Sequence, residues 1–210
     1  MSFTYPLTHP TAPGFRRAAF TMLNVVGVSR SPFTLVTKAF KHQGEGWRVD
    51  IQLPPIKNRV RVGQWQAFFA ALQGRAGTFY LADPDFLTPI GSVSGTPVAN
   101  SAGSPSVNLA RTRTLYAKGF NSGDQFLAGS RLSLGTGAAM RLHMLLEDAV
   151  IAGDGTAALS VWPALYADVA DEAAITINNA RGCFRLAGDV GWDSDAAKIF
   201  GFSFVAESEV

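Results

Sequence analysis

Between positions 46 and 55 the chain reads GWRVDIQLPP: Trp47, Val49, Ile51 and Leu53 alternate with Arg48, Asp50 and Gln52. Side chains of a strand point alternately to opposite faces, so a period of two describes a strand with one face on a core and the other in water. Pro54 and Pro55 end it, because neither carries an N–H for a sheet ladder. Such a strand needs partners. The apolar run at 35–40 lies just upstream across KHQGEG, and we read the two runs as a hairpin whose loop falls within 40–47 and carries His42.

The next segment, VGQWQAFFAALQGRAG, breaks the alternation. Trp65, Phe68, Phe69 and Leu72 fall at i, i+3, i+4 and i+7, which places them on one face of a helix of about three turns. Gly74 stands where a stop residue belongs. So short a helix holds only by packing its aromatic face on a sheet, and we read the stripe as a core face; the alternative is the lining of a ligand groove. Upstream of it, Lys57, Arg59 and Arg61 alternate with apolar residues and read as a solvated strand face.

GTFYLADPDF returns to strand, with Phe79 and Leu81 to one side, and then meets Asp83-Pro84-Asp85. Two carboxylates this close can hold a metal or share acid–base work. They can also make a turn: Pro84 fixes φ and cannot donate, and Asp83 can accept from an N–H two residues on. We read a turn at a domain boundary. Residues 87–112, rich in Gly, Ser, Pro and Thr, read as a loop or linker. From 113 to about 178 short β-type runs recur between the turns NSGD, GTGA and AGDGT, the signature of a small barrel or sandwich. Two more runs close the chain, the last with alternating Phe200, Phe202 and Phe204.

The expected architecture is mainly β: an N-terminal β-sandwich with one short helix, formed by residues 1–86 together with 180–210, and an inserted small β-barrel at 87–179. Residues 1–20, with Pro6, Pro10 and Pro13, form an extended arm or a frayed terminus.

Composition narrows the function. Charged residues are 16% of the chain against 47% hydrophobic. Soluble domains carry about 25% charged residues, so this surface is poor in charge and suited to being covered by other subunits. The net charge of +2, with scattered cations, gives no footprint for specific nucleic-acid binding. No apolar run is long enough to span a bilayer, and no signal peptide is expected. His9, His42 and His143 are far apart with no metal-ligand spacing, and the single cysteine, Cys183, reads as a small buried hydrophobe. No nucleophile elbow or phosphate-binding loop occurs, so neither enzyme chemistry nor a cofactor is expected. Two other readings stay open. Asp83 or Asp85 with Asp124, or Glu147 and Asp148, could form a hydrolase pair, and Trp162, Tyr166 and Tyr116 could stack on a glycan.

The order SRSPFT, GWRVDIQLPP, QWQAFFAALQGRAGTFYLADPD, VWPAL and GCFRLAGD resembles bacteriophage distal-tail and minor-tail proteins. The resemblance implies a belt-like N-terminal domain in a homo-hexameric ring that joins the tail tube to the tip or baseplate. It implies partners in the tube protein, the tape-measure protein and the tail-tip hub, and a place in the virion after assembly in the host cytoplasm. Ring contacts are then expected at Trp65, Phe68, Phe69 and Leu72, at His42 and Trp47 of the 40–47 hairpin, and along the N-terminal arm. A carbohydrate-binding module contacting the host surface is the alternative.

Overall fold

The computed structural model describes residues 3–102, 108–194 and 197–209. In chain order the elements are β1 (Leu7–Thr8), β2 (Arg17–Arg30), β3 (Thr37–Gln52), α1 (Arg59–Ala71), β4 (Thr78–Ala82), β5 (Gly95–Ala99), β6 (Thr114–Phe120), β7 (Gln125–Phe126), β8 (Arg131–Leu134), β9 (Arg141–Leu145), β10 (Ala149–Val150), β11 (Ala157–Trp162), β12 (Ile175–Thr176), β13 (Arg181–Leu186), β14 (Trp192–Ser194) and β15 (Phe200–Ser208). The protein is mainly β, with one α-helix and a nearly closed six-stranded barrel beside a larger sheet.

The larger sheet runs β1-β4-β13-β15-β3-β2, with β14 paired to β15. Its strands come from both ends of the sequence: β13 and β15 sit between β4 and β3. The alternation at 47–53 does what its period requires, burying Trp47, Val49, Ile51 and Leu53. Helix α1 covers this face. Asn58 caps it, its side chain accepting from the N–H groups of Val60 (2.9 Å) and Arg61 (3.3 Å). That cap is why the alternating charges at 57–61 are not a strand: Arg59 and Arg61 lie in the first helical turn. Trp65 and Leu72 are fully buried and Phe68 and Phe69 nearly so, against Phe79, Phe202 and Phe204. The helix caps at Leu72, so the residue that stops it is Gln73, left-handed at φ +53°, one position before the expected Gly74, which continues the turn at φ +67°.

The N-terminal segment lies on its own chain. Leu7 and Thr8 pair in parallel with Phe79 and Tyr80, the Tyr5 hydroxyl donates to the Ala71 carbonyl at 2.7 Å, and His9 stacks on Trp65.

The smaller sheet runs β12-β8-β9-β11-β6-β5, and a bridge between Val98 and Ala174 brings its two edge strands together. Its core is separate: Leu115, Phe126, Leu132, Leu145, Leu159 and Val161 are fully buried inside it. Strand β5 lies within the stretch expected to be all loop. Thr96, Pro97 and Val98 supply an edge strand there, where a missing N–H is tolerated. Residues 103–107 of that stretch, and Asp195 of the WDSD motif, fall outside the described residues.

Candidate functional site

Strands β2 and β3 are 14 and 16 residues long, far longer than their neighbours. Strand β15 pairs with β3 only over Arg48–Gln52. Beyond the Met22–Trp47 pair the two strands have only each other, out to Arg30 and Thr37. They form a two-stranded arm closed by a turn in which the Ser31 N–H donates to the Val36 carbonyl (3.0 Å), the Leu35 N–H to the Ser31 carbonyl (2.9 Å), and Leu35 sits at φ +57°. The expected hairpin loop at 40–47 is therefore a continuation of β3, and His42 lies in that strand. The glycines make this possible. Register slips between Asn24 and Val26, and a Cβ on Gly44 would come within 2.7 Å of the Val25 side chain.

The arm's surface is apolar on both faces. Val25, Val26, Val28, Leu35 and Phe40 are exposed, and Phe33 at the tip is 94% exposed. Strand β2 is also the last strand of its sheet, so its outer ladder groups face away from β3 along the whole arm.

At the arm's root a groove of about 920 Å³ runs along the seam between the two sheets. Its walls are Leu23, Val25 and residues 41–47 of the arm, Arg111, Arg113, Arg141 to His143 and Pro163 to Tyr166 of the barrel side, and the end of β15. Glu45 is buried here. One carboxylate oxygen meets Lys41 (2.6 Å) and Arg113 (2.5 Å), and the other accepts the Ala164 N–H at 3.0 Å. Burial pushes this carboxyl up, but the Lys41 hydrogen bond, the Ala164 N–H and the charges of Arg113 and Lys41 outweigh it, and the group lies below its ordinary value. His143 is buried in β9. Its Nδ1 lies 2.8 Å from the Pro163 carbonyl, so Nδ1 carries the proton and Nε2 is left as an acceptor. Burial pushes its pKa down to about 4, and the charge of Arg141 adds to the shift.

Two indoles complete the seam. Trp47 and Trp162 pack edge to face with centroids 4.5 Å apart. Trp47 Nε1 donates to the Leu142 carbonyl at 2.9 Å, and Trp162 Nε1 to Asn24 Oδ1 at 3.3 Å. Behind them Asp83 is buried against Arg131, which sits 4.4 Å from the Phe86 ring centroid and 5.2 Å from that of Trp47.

No protein-family model matches the chain, and no curated protein matches it.

The folded chain redistributes the expected sites. Trp65, Phe68, Phe69, Leu72 and Trp47, expected at ring contacts, are buried in the interior of the chain and present no surface for such a contact; the helix spends its aromatic stripe on its own sheet. Of the ring-contact residues only His42 is exposed. Trp162 is buried and Tyr116 half-buried, so of the proposed glycan-stacking residues only Tyr166 is freely exposed. Asp83 makes the Asx turn, accepting the Asp85 N–H at 3.3 Å, with Pro84 to Phe86 in a single 3-10 turn. Its second carboxylate oxygen is engaged by Arg131, while Asp124 accepts from the Ser94 hydroxyl at 2.6 Å. Among the described residues no group of three or more His, Cys, Asp or Glu is placed to hold a metal, and no helix is long and apolar enough to cross a membrane.

Sequence reasoning missed Glu45, Arg113 and Arg131. Glu45 stood in what looked like a loop, and the two arginines carry no local pattern. The strand at Val25, Val26 and Val28 and the turn at Ser31-Pro32 are legible in the sequence and present in the structure; the arm was missed because the run at 35–40 was paired with 47–53 instead of folding back on them across that turn.

Proposed function

We propose that this chain is a structural subunit of a multi-copy assembly, the ring at the distal end of a bacteriophage tail that joins tube to tip. The observation that carries the reading is the arm. A two-stranded hairpin is marginal in water on its own, and three strands or a packed face are needed to hold one. Beyond its root, where Asn24 and Glu45 meet the barrel, this arm has neither among the described residues, yet it presents Val26, Val28, Leu35 and Phe40 to solvent beside an open strand edge. A neighbouring subunit that covers the arm removes both liabilities at once. Repeated head to tail, that contact closes into a ring. The tail assignment comes from the sequence resemblance; the arm supports the more general part of it, a subunit built to be covered by copies of itself.

The test is the mass of the purified protein across a range of concentrations, by light scattering and electron microscopy, for the native chain and for Val28→Asp/Phe40→Asp. Both side chains are exposed, so the variant should fold as the native chain does. Concentration-dependent closed rings that disappear in the variant are expected. A native protein that stays monomeric at all concentrations, or a variant that assembles equally well, sinks the reading.

A further inference from the structure

The groove at the root of the arm has a charge pattern that its own chain does not use up. Its carboxylates are engaged: Glu45 by Lys41 and Arg113, Glu207 by Arg48 at 3.2 Å, and Glu209 by both Arg185 Nε (2.6 Å) and Nη2 (2.7 Å). Arg48 and Arg185 lie outside the groove, so Glu207 and Glu209 are neutralised from behind. Of the four cations in its walls, Lys41 and Arg113 share one carboxylate, and Arg111 and Arg141 have no ion pair among the described residues. Arg141 is held in place, its Nη1 donating to the Ala138 carbonyl at 2.7 Å, while its Nε is buried with no acceptor among the described residues. Tyr166 stands over the same guanidinium, 6.0 Å away. The groove therefore joins surplus positive charge to apolar walls made by Leu23, Val25, Leu165 and Tyr166.

We propose that this groove is a docking site for an acidic, apolar-anchored peptide segment of a partner protein, whose carboxylate pairs with Arg111 and Arg141 while a neighbouring large apolar side chain lies against the exposed apolar wall residues Leu23, Val25 and Tyr166. Charge selects this occupant over the exposed tip of a second copy's arm. That tip is flanked by Arg30 and Lys38, and it would bring cations to cations. Shape, rather than volume, favours a chain segment over a compact ligand. At about 920 Å³ the groove is near the upper end of the ~300–1,000 Å³ typical of small-molecule pockets. Its rim residues Val25, Lys41, Arg111 and Tyr166 are exposed, which describes an open trough.

The inference stands apart from ring formation and can be tested without it. Val28→Asp/Phe40→Asp protein serves as the background. Three fluorescein-labelled, end-capped hexapeptides share one leucine–phenylalanine pattern and carry two aspartates, two asparagines or two lysines; their binding is followed by fluorescence anisotropy. The aspartate peptide should bind at least about tenfold more tightly than the other two, as one or two partly buried charge-assisted contacts allow. Its affinity should fall as salt rises. Arg111→Glu should weaken it by about tenfold or more, with an unchanged circular dichroism spectrum, since the Arg111 side chain is exposed and holds no ion pair among the described residues. Arg30→Glu, at the far end of the arm, should leave it unchanged. Equal binding of the three peptides, or full binding by Arg111→Glu, overturns the proposal. So does displacement by octanoate at concentrations as low as those of the peptide itself, which would mark a pocket for free carboxylic acids.

Discussion

Arg131 of β8 reaches across the seam to Asp83 at the end of β4, with Nη2 3.0 Å and Nε 3.2 Å from the same carboxylate oxygen. Both side chains are buried, so the turn that ends the first run of strands is also an ionic tie to the barrel. Removing one partner of such a pair leaves a charge stranded. Asp83→Ala should lower unfolding free energy by roughly 3–5 kcal/mol. The double change Asp83→Leu/Arg131→Met should cost less than Asp83→Ala alone, because no unpaired charge remains. Urea denaturation of the three proteins decides this, and a double variant at least as unstable as Asp83→Ala would refute it.

The two most buried indoles separate packing from hydrogen bonding. Trp47 Nε1 donates to the Leu142 carbonyl, whereas Trp65 Nε1 is buried with no acceptor among the described residues. Trp→Phe removes similar bulk at each site but costs a hydrogen bond only at 47. Trp47→Phe should therefore be the more destabilising by about 1–2 kcal/mol, read from chemical denaturation. Equal losses would show that cavity formation alone governs both.

His143 links stability to pH. In the folded chain its pKa is about 4, against 6.5 for the free side chain. A histidine held neutral by burial contributes fully above pH 6.5. That contribution drains away as pH falls through the window from 6.5 to about 4, because the unfolded chain takes up the proton first. The loss over the window is roughly 3 kcal/mol. His143→Gln, which keeps a donor for the Pro163 carbonyl, should flatten the pH dependence of the unfolding free energy between those limits. An unchanged slope would assign the effect to other groups.

Gly44 tests the arm's architecture. A Cβ there would overlap the Val25 side chain, whose Cγ2 would be 2.7 Å away. Gly44→Ala should loosen the arm without unfolding the sheets, seen as faster hydrogen exchange at 22–30 and 37–46 with little change in thermal midpoint. Val25→Ala/Gly44→Ala should restore slow exchange, since the clash is with a side chain.

What could be read from the sequence was what local spacing determines. The strand at 47–53, the helix positions 65, 68, 69 and 72, the Asp83 turn and the mainly β architecture needed only side-chain period and turn chemistry. The misreadings share a cause. KHQGEG looked like a loop because glycines weaken strands. Here Gly44 makes room for Val25, and a Cβ on Gly46 would meet the Ser208 hydroxyl at 2.8 Å, so the glycines keep the strand going. The charges at 57–61 looked like a strand because two periods coincide over so few residues; the Asn58 cap decided between them. The groove was invisible because its parts, Glu45, Arg113, Arg141 and His143, are brought together by two strands and a loop far apart in sequence.

The interleaving of the larger sheet has a consequence for how the chain is made. Strands β13 and β15 lie between β4 and β3, yet they leave the ribosome only after every strand of the barrel. The first 82 residues cannot complete their sheet until residues 181–208 arrive, whereas every strand of the barrel is already present by residue 176. Sequence-distant pairing of this kind is slow to form and leaves strand edges open in the meantime. During synthesis the barrel can close early and hold the two halves of the larger sheet near one another. Until residues 181–208 are in place, the arm and its apolar strands wait on an unclosed edge, so a product truncated before β13 exposes them to aggregation.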